Sequence, residues 1–376
     1  MSAADGRVVR TEKLVDHGDP ARRWNLVILS EGYREPEFPQ FRAACANFID
    51  RLYNTPPFTS MWCALNIYCV DVASDESGAD EPAMCGDGTP GSGATPRTFF
   101  DATFCVAATS RLLAGSEALA LSTAQAQVPQ VHATIVIVNS SRYGGAGGGV
   151  AWFSTAPAAS DIGIHELGHS AFNLADEYSD LNNSWPGGEP PEPNLTIDTN
   201  RATTKWRDLI AAATALPTMS NPDCSTTDGR ASPVAAGTVG LFEGGGRARC
   251  GVFRPEHDCF MRTLGQPFCA VCRRAIRGTL QAFMPKTLTG QAGVQYTGTI
   301  AGNKTVRYFT HSWPACWHVA WTVVPKTDSV AAGADMTWKV KVERASREHI
   351  TYWLEVTNFE PAPVEFEMRY EIFARH

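Results

Sequence analysis

The chain has 376 residues, 44% of them hydrophobic and 19% charged, with a formal net charge of −7. That length exceeds one ordinary domain and can bury a large core, and the composition is globular rather than disordered. An acidic balance without a compensating basic cluster argues against a nucleic-acid partner, and no apolar run approaches the roughly 20 residues of a membrane-crossing helix.

The first segment, MSAADGRVVRTEKLVDHGD, is polar and charged and lacks the apolar centre of a secretory signal peptide, so a cytoplasmic protein is the default expectation. Residues 25–30 form an apolar run ending at Glu31-Gly32, a strand entering a turn. From Phe38 to Leu52 the apolar residues Phe41, Cys45, Phe48, Ile49 and Leu52 have helical spacing. Leu65 to Val72 reads as a second strand and Thr134 to Val138 as a third, nearly all β-branched and central in its sheet. Between them, Ala107 to Ala126 is rich in alanine and leucine and reads as helix. This alternation predicts an α/β (α+β) fold with a mixed sheet. Ser74 to Thr98 is a turn-rich loop. Its SDESGAD segment has carboxylates enough for a structural calcium ion but lacks EF-hand spacing, so an ordinary loop is favoured. Tyr143 to Gly149 (YGGAGGG) is either a flexible loop or a rim strand whose missing side chains let a substrate backbone approach.

The most informative segment follows. In IGIHELGHSAFNLADEY, His165 and His169 stand at i and i+4, one turn apart on one face of a helix, so both imidazoles can reach one metal ion. Glu166 lies to the side, where it can take a proton from a zinc-bound water as general base. The apolar flanks Ile162, Ile164, Leu167, Phe172 and Leu174 predict a buried helix, on which unpartnered histidines would be costly. A catalytic zinc takes a third protein ligand. Asn173 tolerates a left-handed turn and Asp176 follows it by three, which favours Asp176, with Glu177 as the alternate. The carboxylate left over is expected to hold a histidine N–H.

Residues 179–258 are rich in turns, apart from the helical-looking KWRDLIAAATA, and Cys269 to Phe283 reads as a closing helix. Cys250, Cys259, Cys269 and Cys272 cluster here, after Cys224. The Cys269-x-x-Cys272 pair suits half of a structural zinc site, a redox pair or disulfide halves. A four-cysteine zinc site usually shows two close pairs, and the eight residues between Cys250 and Cys259 weaken that reading, so disulfides or buried thiols are expected. From about residue 286 the runs TVRYFTH, WHVAWTVV, MTWKVKVE, ITYWLEVTN and VEFEMRYEIF alternate and predict an antiparallel β-sandwich. The expected domains are therefore 1–285, carrying the metal motif, and 286–376.

HELGHSAFNLADEY resembles the HExGH…DEY signature of the M64 metallopeptidases, the IgA-peptidase-like family. Other segments agree in order: NLVILSEGY, LNIYCVDVASDESGAD, IVIVNSSRYGG, EPNLTID…KW, GLFEGGG…GVFRPEHDCFMR and FCAVC. The resemblance spans about residues 24–280. It implies a zinc endopeptidase with a metzincin-like catalytic core, exported from the cell and acting on protein or peptide substrates. By position it makes Met261 the Met-turn residue beneath the metal. Arg262 is placed to pair with a carboxylate near the site or to bind a substrate carbonyl, and Tyr178 to donate to the developing oxyanion. The alternatives are a non-catalytic binding protein on the same scaffold and a metal-dependent amide hydrolase with a non-protein substrate. Oligomeric state and cleavage specificity are not encoded in any motif.

Overall fold

Residues 5–221, 223–225, 229–285, 291–326 and 334–374 are described by the structure, a computed structural model. Two compact units divide the chain, Met1–Phe283 and Met284–His376.

The first unit is built on a six-stranded sheet. Its strands are β1 (Gly6–Val15), β2 (Trp24–Glu31), β3 (Leu65–Ser74), β4 (Val131–Val138), β5 (Gly145–Ala146) and β6 (Ala151–Ser154), in the spatial order β1-β3-β2-β4-β6-β5. The inner strands are mutually parallel, and β1 and β5 run antiparallel at the two ends, so the sheet is mixed. Every residue of β2 and β3 is buried. Helices cover both faces, which is why these strands read as continuous apolar runs rather than alternating ones. On one face Cys45 of α1 (Phe38–Tyr53) meets Cys69 of β3 with sulfurs 3.2 Å apart, and Phe48 lies 5.4 Å from Phe153 of β6. On the other, Val27, Leu29 and Val70 share a core with Ala120 and Ala124 of α2 (Glu117–Gln127). The HELGH helix, α3 (Ala159–Phe172), packs beside α1, and its Phe172 stacks on Trp24 at 5.6 Å.

A second, three-stranded sheet is formed by β7 (Leu181–Ser184), β8 (Phe242–Gly245) and β9 (Ala248–Arg254), in the order β8-β9-β7. The closing helix α4 (Ala270–Gln281) buries Val271, Cys272, Ile276 and Leu280. Disulfides join Cys85 to Cys105 and Cys224 to Cys250.

Three segments of this first unit differ from the sequence expectation. β1 is an edge strand in a stretch that reads only as polar. Ala107–Ala126 is helical only from Glu117, because Cys105, Ala107 and Ala108 take left-handed φ of 68°, 49° and 60° beside the Cys85–Cys105 bridge. There Leu113–Ala114 pairs with Thr103–Phe104 as a short hairpin, so tertiary anchoring outweighs alanine's helix propensity. KWRDLIAAATA forms only a 3-10 turn at Arg207–Leu209. Trp206 is fully buried, its indole N–H donating to Gly240 O at 2.8 Å, which spends the segment on an anchor instead of a helix.

The second unit has two three-stranded antiparallel sheets. One contains β10 (Gln291–Ile300), β15 (Val364–Ala374) and β12 (Trp317–Pro325). The other contains β11 (Thr305–Pro314), β14 (His349–Asn358) and β13 (Met336–Arg344). Trp313, Tyr352 and Leu354 from one sheet share a core with Trp321, Phe366 and Met368 from the other. β10 is an addition to the expected strands; it is buried only at its end, so its apolar alternation is weak. No helix among the described residues is long and apolar enough to cross a membrane.

Candidate active site

The site grows out of the end of α3. Asn173 takes a left-handed conformation (φ 51°, ψ 40°), and both its own N–H and that of Leu174, the latter at 3.0 Å, return to Gly168 O and close the helix C-terminus. That turn reverses the chain. It brings Leu174 O within 2.6 Å of His169 Nδ1 and carries Asp176 back over the two histidines.

Asp176 Oδ1 is 3.0 Å from His165 Nε2 and 3.2 Å from His169 Nε2, and the two Nε2 atoms are 3.2 Å apart. A tetrahedral ion with bonds of about 2.0–2.1 Å separates its ligand atoms by about 3.3 Å, so this donor set fits zinc without rearrangement. The far nitrogens are held by main chain: His165 Nδ1 faces Phe260 O at 3.3 Å, and His169 Nδ1 faces Leu174 O. N–H groups donated to those carbonyls leave both Nε2 lone pairs facing one point. Backbone carbonyls thus take the place expected of a leftover carboxylate. Glu177 touches neither histidine; it is fully buried on the opposite side of the chain, beside Cys259, Cys269 and Cys272.

Glu166 lies within 4.8 Å of both histidines as donor atoms are measured. Burial raises its carboxyl pKa, and the Asp176 charge adds to this against the opposing pull of the two histidines. Burial disfavours the His169 imidazolium, but the hydrogen bond and charge of Asp176 outweigh it and carry His169 up to about 9. Asp176 is resisted by burial yet held well below the usual carboxylate range by the same two histidines.

These groups open into a cavity of about 700 Å³ that Tyr178 and Arg262 also line. Burial pushes the Tyr178 phenol up, helped by the charge of Asp176 and a hydrogen bond to it, and Arg111 pulls the other way. Arg262 pairs with Asp258 at 3.2 Å, a carboxylate outside the histidine cluster. Met261 is fully buried beneath the helix: a Cβ built on Gly168 would stand 2.7 Å from its sulfur, so the glycine lets the methionine close on the helix backbone. Gly145–Ala146 is the last strand of the six-stranded sheet. A Cβ at the next residue, Gly147, would meet Glu166 Oε2 at 2.7 Å, so the segment crosses directly over the glutamate. In the Ser74–Thr98 loop, Asp75 and Glu76 pair with Arg97 at 3.4 and 3.8 Å.

Two contributors are not visible from the local motif. Asn194 is fully buried and clamps the segment carrying Asp176: it accepts from Ala175 N at 2.8 Å and donates to Ala175 O and Glu177 Oε1, each at 2.9 Å. Its one sequence signal is its place in EPNLTID. Arg111, which lines the cavity, has none.

The family model described as IgA Peptidase M64 matches residues 13–230 and 227–280 of the chain. No curated protein matches it.

Proposed function

The chain belongs to the IgA peptidase M64 family, a family of metallopeptidases, and from that premise we propose that it is a zinc-dependent endopeptidase. One observation carries the reading: His165 Nε2, His169 Nε2 and Asp176 Oδ1 converge at 3.0–3.2 Å, with the Glu166 carboxylate alongside. These three residues would hold the zinc, which when bound polarises a substrate carbonyl and brings the pKa of water from 15.7 to about 7. Glu166 takes the proton of the attacking water. The same carboxyl passes that proton to the departing amine. Phe260 O and Leu174 O hold the imidazoles in the tautomer that leaves Nε2 free. Tyr178 donates its phenolic proton toward the carbonyl oxygen as charge develops there, and Arg262 orients a neighbouring substrate carbonyl. The glycine-rich segment 143–149 is the rim that an extended substrate backbone would approach, at groups other than the Gly145 N–H, which donates to Arg111 O at 3.1 Å.

In this reading residues 1–285 form a metzincin-like catalytic domain with Met261 as its Met-turn, and residues 286–376 form a β-sandwich with a structural or substrate-docking role. Immunoglobulin is not implied as the substrate by the family's description. The test is digestion of casein and of a peptide library by the chelated protein, before and after zinc is restored. We expect cleavage to vanish with chelation and return with zinc. Cleavage that survives exhaustive chelation would overturn the zinc reading.

A further inference from the structure

Behind the candidate active site lies a second group of ligand-type side chains. Glu177, Cys259, Cys269 and Cys272 are all buried, and their donor atoms lie within 4.8 Å of one another. We propose that these four residues form a second, structural metal site, closed to solvent and selective for zinc.

The distances are those of a coordination shell. Zinc bonds of about 2.3 Å to sulfur and about 2.0 Å to oxygen place tetrahedral neighbours about 3.8 Å apart for two sulfurs and about 3.5 Å apart for sulfur and oxygen. Cys259 Sγ and Cys272 Sγ are 3.8 Å apart, and Glu177 Oε1 is 3.7 Å from Cys269 Sγ and 3.3 Å from Cys272 Sγ. A disulfide would need about 2.05 Å, and any one pairing would strand the third cysteine against the glutamate. All three cysteines are free.

The surroundings are those of thiolate ligands. The N–H groups of Cys269 and Cys272 point at Cys259 Sγ and Cys269 Sγ at 3.2 and 3.3 Å, and Asn194 fixes Glu177 Oε1 at 2.9 Å. Such second contacts orient ligands and stabilise their charge. Glu177 Oε2, in contrast, is buried without any hydrogen-bond partner. An orphaned carboxylate oxygen inside a protein costs several kcal/mol unless a cation answers it. Soft sulfur donors in a tetrahedral set select zinc over magnesium or calcium, and four protein ligands leave no position for water, so the site is structural rather than catalytic. It would fasten together the segment carrying Asp176, the turn carrying Met261 and the N-terminus of α4.

The test uses the full-length His165→Ala/His169→Ala double variant, which removes the candidate active-site ligands and leaves this quartet whole. After dialysis it should retain one zinc per chain by elemental analysis. Replacing that zinc with Co²⁺ should give an intense near-ultraviolet sulfur-to-cobalt charge-transfer band. Adding Cys259→Ser should abolish both the remaining metal and the band. A folded double variant that holds no metal, or an intact mass showing a disulfide among the three cysteines, would overturn the site. Neither result depends on peptidase activity, so failure here is distinguishable from failure of the proposed reaction.

Discussion

Asp176 and Glu177 are adjacent in the chain, yet their carboxylates end in opposite surroundings. Asp176 meets two imidazoles at the wall of a cavity and keeps 19% of its side chain exposed; Glu177 is sealed among three thiols. Asn194 holds the N–H and carbonyl of Ala175 just ahead of them and the Glu177 carboxylate itself, while the Glu177 N–H donates to Met261 O and Asp176 O accepts from the Gly246 N–H, each at 2.8 Å. The contrast separates two uses of the same chemistry. Nitrogen and oxygen donors with an open side suit an ion that must exchange a ligand, and a closed sulfur shell suits an ion that only holds the fold.

The comparison can be broken most sharply at the open side. Glu166→Gln should lower turnover by about 10²–10⁴-fold while metal content stays unchanged, because a general base is lost and no ligand is. Undiminished cleavage by that variant removes Glu166 from the mechanism. Asp176→Ala should weaken metal binding at the histidines by more than the roughly 10–100-fold typical of an outer contact, read by competition with a chromophoric chelator. An unchanged affinity would assign the third ligand elsewhere.

A smaller effect tests how closely the methionine turn seats the helix. Gly168→Ala brings a methyl to 2.7 Å from Met261 Sδ, an overpacking that should cost about 1–3 kcal/mol in denaturant unfolding. Adding Met261→Ala should recover part of the loss, and strictly additive losses would mean the two do not touch. The least effect lies far from both clusters. Burial lowers the pKa of His17, and Arg23 adds to this against the hydrogen bond to Leu65 O. The folded state therefore prefers neutral His17, and the unfolded chain takes up the proton first, near its ordinary value of about 6.5. Stability should fall as pH drops below that value. His17→Gln should flatten that part of the profile, and an identical slope in the variant would clear His17 of the effect.

The sequence shows most where one local rule decides the geometry. The i, i+4 spacing of His165 and His169 fixes their common face, and a left-handed Asn173 is what lets Asp176 return to them. β2, β3 and α1 are readable for the same reason: burial on both faces, or on one helical stripe, is written in consecutive residues. Partners set by distant chain stay hidden. Cys250 falls in the same sequence cluster as Cys259, Cys269 and Cys272 but bonds Cys224, and the side chain that joins the three thiols is Glu177, 82 positions before Cys259. Asn194 and Arg111 reach the site through turns that carry no periodic pattern. Ala107–Ala126 misleads because helix propensity is a weak preference, and a disulfide with three left-handed residues overrides it.

The short strand Gly145–Ala146 ends the six-stranded sheet and passes beside Glu166, with no side chain bulkier than a methyl group along it. A polypeptide lying across that segment would meet main chain rather than side chains. Selectivity would then depend less on residue identity than on whether a stretch can straighten, so tethers between domains and frayed ends would be cut while folded helices and sheet interiors are spared.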